Sequence, residues 1–265
     1  MNIITVHNVS KTYKSYIKND KVNFFKRQYT YTKALEDVSF TVDEGEILGL
    51  IGLNGAGKTS MIKLVSGIMR RDKGEIKVMG FDPFDRNLAY RKAASLVLGQ
   101  NGQLDNDLTI LDSVSFYSAL YDVKKDDAMV RAKKMARELM LTEVDLQKQV
   151  RDLSLGQRMK GELILAFNHL PKVIYLDEPT LGLDFMAQKA IRNFLKTYVK
   201  DNKASMILTS HYGKDIEELC PNILVLYKGK SIYYGSLHIN EYVEFIEGGL
   251  DTAIEDLYKE HQEYV

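Results

Sequence analysis

Gly52-Leu53-Asn54-Gly55-Ala56-Gly57-Lys58-Thr59-Ser60 is the stretch on which the reading of this chain turns. It fits G-x-x-x-x-G-K-[ST], a loop that cradles the phosphates of a nucleotide. A chain wrapped around a polyphosphate must aim consecutive backbone N–H groups inward, and Gly52, Gly55 and Gly57 supply the unusual backbone that this needs. A helix starting at about Lys58 adds its unpaired N-terminal amides and positive dipole end. Lys58 is then placed to reach the β- and γ-phosphates, and the Thr59 hydroxyl to ligate Mg²⁺. The flanks agree: Glu46 to Ile51 reads as a buried strand running into the loop. Met61, Ile62, Leu64, Val65, Ile68 and Met69 give the following helix an apolar face.

The rest of the composition narrows the class. Hydrophobic residues make up 45% of 265 positions and charged residues 27%, ordinary for a globular protein with a substantial core. Lys and Arg number 36, as do Asp and Glu, and net zero charge gives no global case for nucleic acid. The single cysteine, Cys220, excludes an internal disulfide and a zinc framework. No apolar run approaches the roughly 18 residues that cross a bilayer, and no signal-peptide pattern opens the chain. The expected location is the cytoplasm. Charge is uneven along the chain: Lys11 to Lys33 is strongly basic, and Asn240 to Val265 strongly acidic.

Outward from the loop, strands are predicted over Asn2 to Val9, Ala34 to Val42, Glu75 to Met79, Ala94 to Gly99 and Ser205 to Ser210. A hairpin follows over Ile223 to Tyr234 around Lys228-Gly229-Lys230. Lys14 to Lys33, with Tyr16, Phe24, Phe25, Tyr29 and Tyr31, reads as an enlarged hairpin connection; the alternative is a short amphipathic element touching a membrane surface or membrane subunit. From Leu104 to about Asn168 the pattern is helical and ends at Pro171, which points to a helical lobe inserted into an α/β core. Leu250, Ile254, Leu257 and Tyr258 mark one face of a closing helix beyond Gly248-Gly249.

A phosphate loop alone does not separate kinases, GTPases, motors and transport ATPases. Val173-Ile174-Tyr175-Leu176-Asp177-Glu178 narrows the field, because an apolar strand projects two acids from its carboxyl end, where ligands bind in open α/β sheets. Asp177 would hold Mg²⁺, and Glu178 would polarise an attacking water. Leu153-Ser154-Leu155-Gly156-Gln157-Arg158 lies shortly upstream. There Ser154 is a good N-cap, and a helix from about Gln157 with Leu163, Ala166, Phe167 and Leu170 inward would present Ser154 and Gly156 to an anion.

At this stretch the sequence resembles the ATP-binding cassette family, whose signature is usually LSGGQ. The resemblance spans nearly the whole chain, with Tyr13, the phosphate loop, Gln100, the signature, Asp177-Glu178, Leu181-Gly182-Leu183-Asp184 and His211 in the family's order. It implies an α/β fold: a P-loop NTPase core with an antiparallel β subdomain and an inserted helical subdomain. The nucleotide-binding domain would cover 1–240 with the helical part at about 104–170, and a short acidic helical tail would cover 241–265. It implies ATP and Mg²⁺, with the phosphates held by Asn54, Gly55, Ala56, Gly57, Lys58, Thr59 and Ser60 and the adenine stacked on Tyr13. Thr59, Gln100 and Asp177 would serve the metal. Glu178 would be the general base, assisted by Gln100 and by a His211 contact to the γ-phosphate.

The resemblance further implies a second cassette subunit, identical or paralogous, whose Ser154, Gly156 and Gln157 complete the first one's site, with Asp184 linking the two. The pair would power separate transmembrane permease chains at the inner face of the membrane, in the manner of an exporter. Two departures stand out: Leu155 where glycine is usual, and Ser60 where a second threonine is common. A soluble cassette acting on ribosomes or nucleic acid is the main alternative. A phosphoryl-transfer enzyme with a small acceptor would leave the signature and His211 without a role.

Overall fold

Two long antiparallel strands open the chain in the computed structural model, which describes residues 1–17, 28–99, 102–237 and 244–262. They are β1 (Asn2–Ile17) and β2 (Gln28–Asp43), paired from Asn2↔Asp43 to Ile17↔Gln28. The strands therefore continue into the stretch whose sequence suggested a connection. Lys14 faces Tyr31 and Tyr16 faces Tyr29, with the Lys14 ammonium 3.9 Å from the Tyr29 ring centroid. Positions 18–27 lie outside the described residues, as do Phe24 and Phe25 with them.

Next come β3 (Ile47–Gly52), α1 (Lys58–Val65), β4 (Lys73–Val78), α2 (Leu88–Ala93) and β5 (Ala94–Leu98). The inserted helices are α3 (Ile110–Leu120), α4 (Lys125–Glu138), α5 (Glu143–Gln147) and α6 (Leu155–Phe167). Three of them start on a side-chain cap that exchanges two hydrogen bonds with the third helical position: Thr109 with Asp112, Thr142 with Asp145, and Ser154 with Gln157. The core then resumes with β6 (Val173–Asp177), α7 (Phe185–Asn202), β7 (Ser205–Thr209), α8 (Gly213–Leu219), β8 (Asn222–Tyr227), β9 (Lys230–Ser236) and α9 (Glu244–Gln262).

The strands form two sheets. β4 joins β1 and β2 in an antiparallel sheet ordered β2-β1-β4, and the other six form a sheet ordered β5-β6-β7-β3-β8-β9, parallel except for β9. In β3 the side chains alternate between two cores: Leu48 and Leu50 pack with α1 and the antiparallel sheet, while Ile47 and Ile51 join the core shared with α6, α7 and α9. Coverage on both faces explains why strands such as β3 and β7 read as unbroken apolar runs. In α1, Met61, Ile62, Leu64 and Val65 are fully buried, each contributing about 1.5–3 kcal/mol of apolar burial. The helix ends at Val65, before Ile68, which is exposed.

The signature helix starts at Leu155, two residues earlier than its pattern suggested. Leu163, Ala166 and Phe167 are buried as expected, but Leu170 stands past the helix end in a left-handed conformation and is exposed. The closing helix α9 runs through Gly248 and Gly249, and Leu250, Leu257 and Tyr258 are buried in the core. Among the described residues no helix is long and apolar enough to cross a membrane.

Candidate functional site

The phosphate loop leaves β3 at Gly52 and enters α1 at Lys58, and its shape rests on two neighbours from distant sequence. Gly57 has φ 110°, and a methyl group on it would stand 2.6 Å from the Ala34 carbonyl oxygen. The Ala56 carbonyl accepts from the Gly229 amide at 3.1 Å, so the turn between β8 and β9 supports the loop from behind. Asn54 and Gly55 are exposed at the loop's crest, while Ala56 is buried. The Lys58 ammonium donates to the Gly52 carbonyl at 2.5 Å. Burial lowers its pKa, opposed by the carboxylates of Glu178 and Asp177.

Two carboxylates meet the loop at the end of β6. Asp177 accepts from the Thr59 hydroxyl at 3.0 Å through Oδ2 and from the Thr209 hydroxyl at 2.7 Å through Oδ1. Thr209 ends β7 and stands opposite Asp177 in the parallel register. It also receives the Glu178 amide, at 3.0 Å on the side-chain oxygen and 3.2 Å on the backbone oxygen. Glu178 itself is held at φ 57°, a left-handed conformation costly for a residue with a side chain. That turn directs its carboxylate to His211, with Oε1 2.7 Å from Nε2. Thr59, Leu98, Gly99, Asp177, Glu178 and Leu181 line a cleft of about 220 Å3.

The donor set fits a hard divalent cation. Thr59 and Asp177 offer hydroxyl and carboxylate oxygens within hydrogen-bond reach of each other, and the described residues hold no cluster of three or more His, Cys, Asp or Glu able to cage a metal alone. Mg²⁺ is bound in this manner, by one or two protein oxygens together with substrate phosphates.

Behind the cleft lies a buried junction that no local motif announces. Asp215 on α8 takes the Arg192 guanidinium at 2.8 Å on Oδ1. Its Oδ2 accepts from the Ser210 hydroxyl at 2.7 Å and from the Thr180 hydroxyl. Ser210 precedes His211 and Thr180 follows shortly after Glu178, so one carboxylate fixes the chain on both sides of the Glu178–His211 pair.

The remaining expected residues fall in two other places. The Tyr13 hydroxyl lies 3.0 Å from Ser60 Oγ and donates to Met69 Sδ at 3.3 Å, which anchors the ring beside the start of α1. Ser154, Gly156 and Gln157 sit at the N-terminus of α6, outside the cleft's lining. There the Ser154 side chain accepts from the Gln157 amide at 3.2 Å and the Gln157 side chain accepts from the Ser154 amide at 2.9 Å. Leu155 is exposed and its Cδ2 is 3.3 Å from where a Gly182 side chain would begin. Asp184 caps α7 by accepting from the Ala187 amide at 2.9 Å. Gln100 lies outside the described residues.

Comparison with known proteins agrees with this geometry. The sequence pattern of the ABC transporter family matches residues 35–181. An ABC transporter ATP-binding protein of Methanocaldococcus jannaschii, MJ1023, is 30% identical over 247 residues, 91% of this chain and 87% of that protein. The solved structure of an ATP-binding subunit of an ABC transporter superimposes with a TM-score of 0.78 at 26% identity, covering 97% of this chain and 99% of the other. The dimeric cassette MJ0796 bound to ADP and Pi shares the fold, with a TM-score of 0.76 at 21% identity over 89% of this chain and 99% of its own. The chain belongs to the ABC transporter ATP-binding family, and its activity is that of the family, ATP hydrolysis.

Proposed function

We propose that this ATPase works as one half of a head-to-tail pair of cassettes enclosing two ATP molecules, and that the pair drives separate permease chains in an exporter. The carrying observation is the separation of the signature from the cleft. Ser154, exposed, and Gly156 and Gln157, half-buried, form a helix N-terminus that takes no part in lining the cleft of Thr59, Asp177 and Glu178. The cap occupies the Ser154 and Gln157 amides, which leaves those of Leu155 and Gly156 at the helix end for an anion. Exposed apolar side chains stand in the phosphate loop (Leu53), at the start of α6 (Leu155), after β6 (Leu181) and at the start of α7 (Phe185 and Met186), as a closing interface requires.

The roles follow from position. Asn54 to Ser60 wrap the phosphates with backbone amides, and Lys58 moves from the Gly52 carbonyl to the β- and γ-phosphates. Tyr13 offers its ring to the adenine. Thr59 and Asp177, with Gln100, would hold Mg²⁺, which when bound neutralises phosphate charge. Glu178 takes a proton from the attacking water, and His211, its Nε2 already 2.7 Å from that carboxylate, orients it and contacts the γ-phosphate. Asp184 joins the two half-sites. In this reading the cassette domain covers 1–240 with α9 as its tail, and the protein sits at the inner face of the membrane through the permease. The LSLGQ signature and the enlarged first hairpin support the exporter side of the reading.

The test is the Glu178→Gln protein with Mg²⁺ and ATP on a sizing column. An ATP-dependent dimer with little turnover is expected; a monomer at saturating ATP would overturn the pairing. Stimulation of turnover by a co-purifying membrane protein, rather than by ribosomes or DNA, is the expected mark of the permease.

A further inference from the structure

The signature helix α6 carries a carboxylate that none of the steps above uses. Glu162 is 5% exposed, and its two oxygens are taken by two successive backbone amides: Gln103 N donates to Oε2 at 2.8 Å and Leu104 N to Oε1 at 2.9 Å. A methyl group on Gly102 would stand 2.2 Å from Oε1, so residues 102–104 pack directly against the carboxyl, and a side chain at the first of them would push it aside. The adjacent glycine on the helix brings the same segment close from another side, since a Cβ on Gly161 would lie 2.8 Å from Ile110 Cδ1 and 3.0 Å from Leu104 Cδ1.

A buried carboxylate is a costly way to fill space. Burial raises the pKa of Glu162, with the two amides and the Arg158 guanidinium pulling it back. A leucine would fill the volume without that cost, but it has no oxygens, whereas the carboxyl group offers one to each of two backbone donors. The held segment is also tied to the sheet, because Gln103 Nε2 donates to the Leu96 carbonyl of β5 at 2.7 Å. Residues 102–104 thus begin two positions after residue 100 and link β5 to the helix whose N-terminus is Ser154–Gln157.

We propose that Glu162 is a positioning residue for ATP hydrolysis, fastening the segment after Gln100 to the signature helix so that the two move together. The proposal rests on the reading in which that helix end serves a second subunit's ATP. Glu162 lies eight residues from Ser154, about 12 Å along the same rigid helix, so a displacement of residues 102–104 is delivered to the anion-facing end.

The experiment uses the full chain. In the Glu178→Gln background, Mg²⁺ and ATP are expected to slow amide exchange in both 153–158 and 102–104 by at least about tenfold as the dimer forms. Adding Glu162→Gln should leave the response of 153–158 and abolish that of 102–104. In the otherwise native chain, Glu162→Gln should lower kcat by about tenfold with KM for ATP within about twofold. If that variant does not fold, Glu162→Asp, which keeps the charge and shortens the reach, takes its place with the same readouts. An unchanged kcat per folded chain, or an undiminished response of 102–104, would overturn the proposal and leave Glu162 a packing residue. Absence of any ATP-dependent dimer in the parent would instead overturn the pairing itself.

Discussion

Oε1 of Glu178 lies 2.7 Å from Nε2 of His211, and the two side chains reach that contact from the ends of two adjacent parallel strands. β6 ends at Asp177 and turns through a left-handed Glu178, while β7 ends at Thr209, two residues before His211. Groups that act as one unit lose function non-additively. Glu178→Gln is expected to cut turnover by about 10²–10⁴, and His211→Ala to cut it by a comparable factor. The double variant should be little worse than the worse single one. Steady-state ATPase rates on the three proteins check this, and full additivity would mean that the two groups act independently.

Asp215 and Arg192 are each 1% exposed and joined at 2.8 Å. Removing one member of a buried pair strands the other, so Asp215→Ala is expected to cost about 3–5 kcal/mol. The lower end is favoured because Glu218 remains 3.2 Å from Arg192 Nε. Urea unfolding with an unchanged m-value is the measurement, and a loss below about 1 kcal/mol would show that the guanidinium finds another partner.

Gly55 and Gly57 separate two kinds of glycine requirement. Both have positive φ, 82° and 110°, yet a side chain on Gly55 meets nothing within 4 Å while one on Gly57 meets Ala34 O at 2.6 Å and Leu35 Cδ2 at 2.8 Å. Gly55→Ala should therefore cost only about 1–2 kcal/mol of backbone strain. Gly57→Ala should cost distinctly more and displace the loop from β2. Thermal unfolding and nucleotide titration of the two variants check the ranking.

His169 sets an acid limit on stability. Burial holds its pKa down to about 4 from the ordinary 6.5, with the Arg131 charge adding to the effect and the Ala94 carbonyl opposing it. The ring stacks on Tyr121 at 3.9 Å between centroids, and its Nδ1 is buried without a hydrogen-bond partner. Between pH 6.5 and 4 the unfolded chain takes up the proton and the folded chain does not, so stability is full above 6.5 and falls as pH drops through that window. The loss is on the order of 3 kcal/mol at most. His169→Phe keeps the stack and removes the titration, and it should flatten this part of the stability profile between pH 7 and 4.

What could be read in advance and what could not divides along one physical line. The phosphate loop, the Asp177-Glu178 strand end and the Ser154 cap are short strings whose chemistry is local, and each stands in the element its pattern implied. Thr209 and Asp215 carry no local signature. Thr209 matters because register places it opposite Asp177, and Asp215 because α8 brings it against α7. Short helices such as α2 and α8 offer too few turns for a period to show. The Lys14, Tyr16, Tyr29 and Tyr31 alternation in the first hairpin was present in the sequence, but with both faces exposed to solvent it does not announce a strand. Leu170 misled for the opposite reason, as an apolar residue in phase with a helix that had already ended.

The position of β3 has a consequence for how the protein is made. Its two neighbours, β7 and β8, and the Gly229 amide that supports Ala56, all come from the far end of the chain. A ribosome adding roughly 5–20 residues per second releases the phosphate loop on the order of ten seconds before the strands that shape it exist. Until then the apolar run Ile47 to Ile51 has no sheet to enter. Nucleotide affinity is thus among the last properties the nascent chain acquires, and a stalled or shortened product would carry an intact phosphate-loop sequence with no capacity to hold ATP.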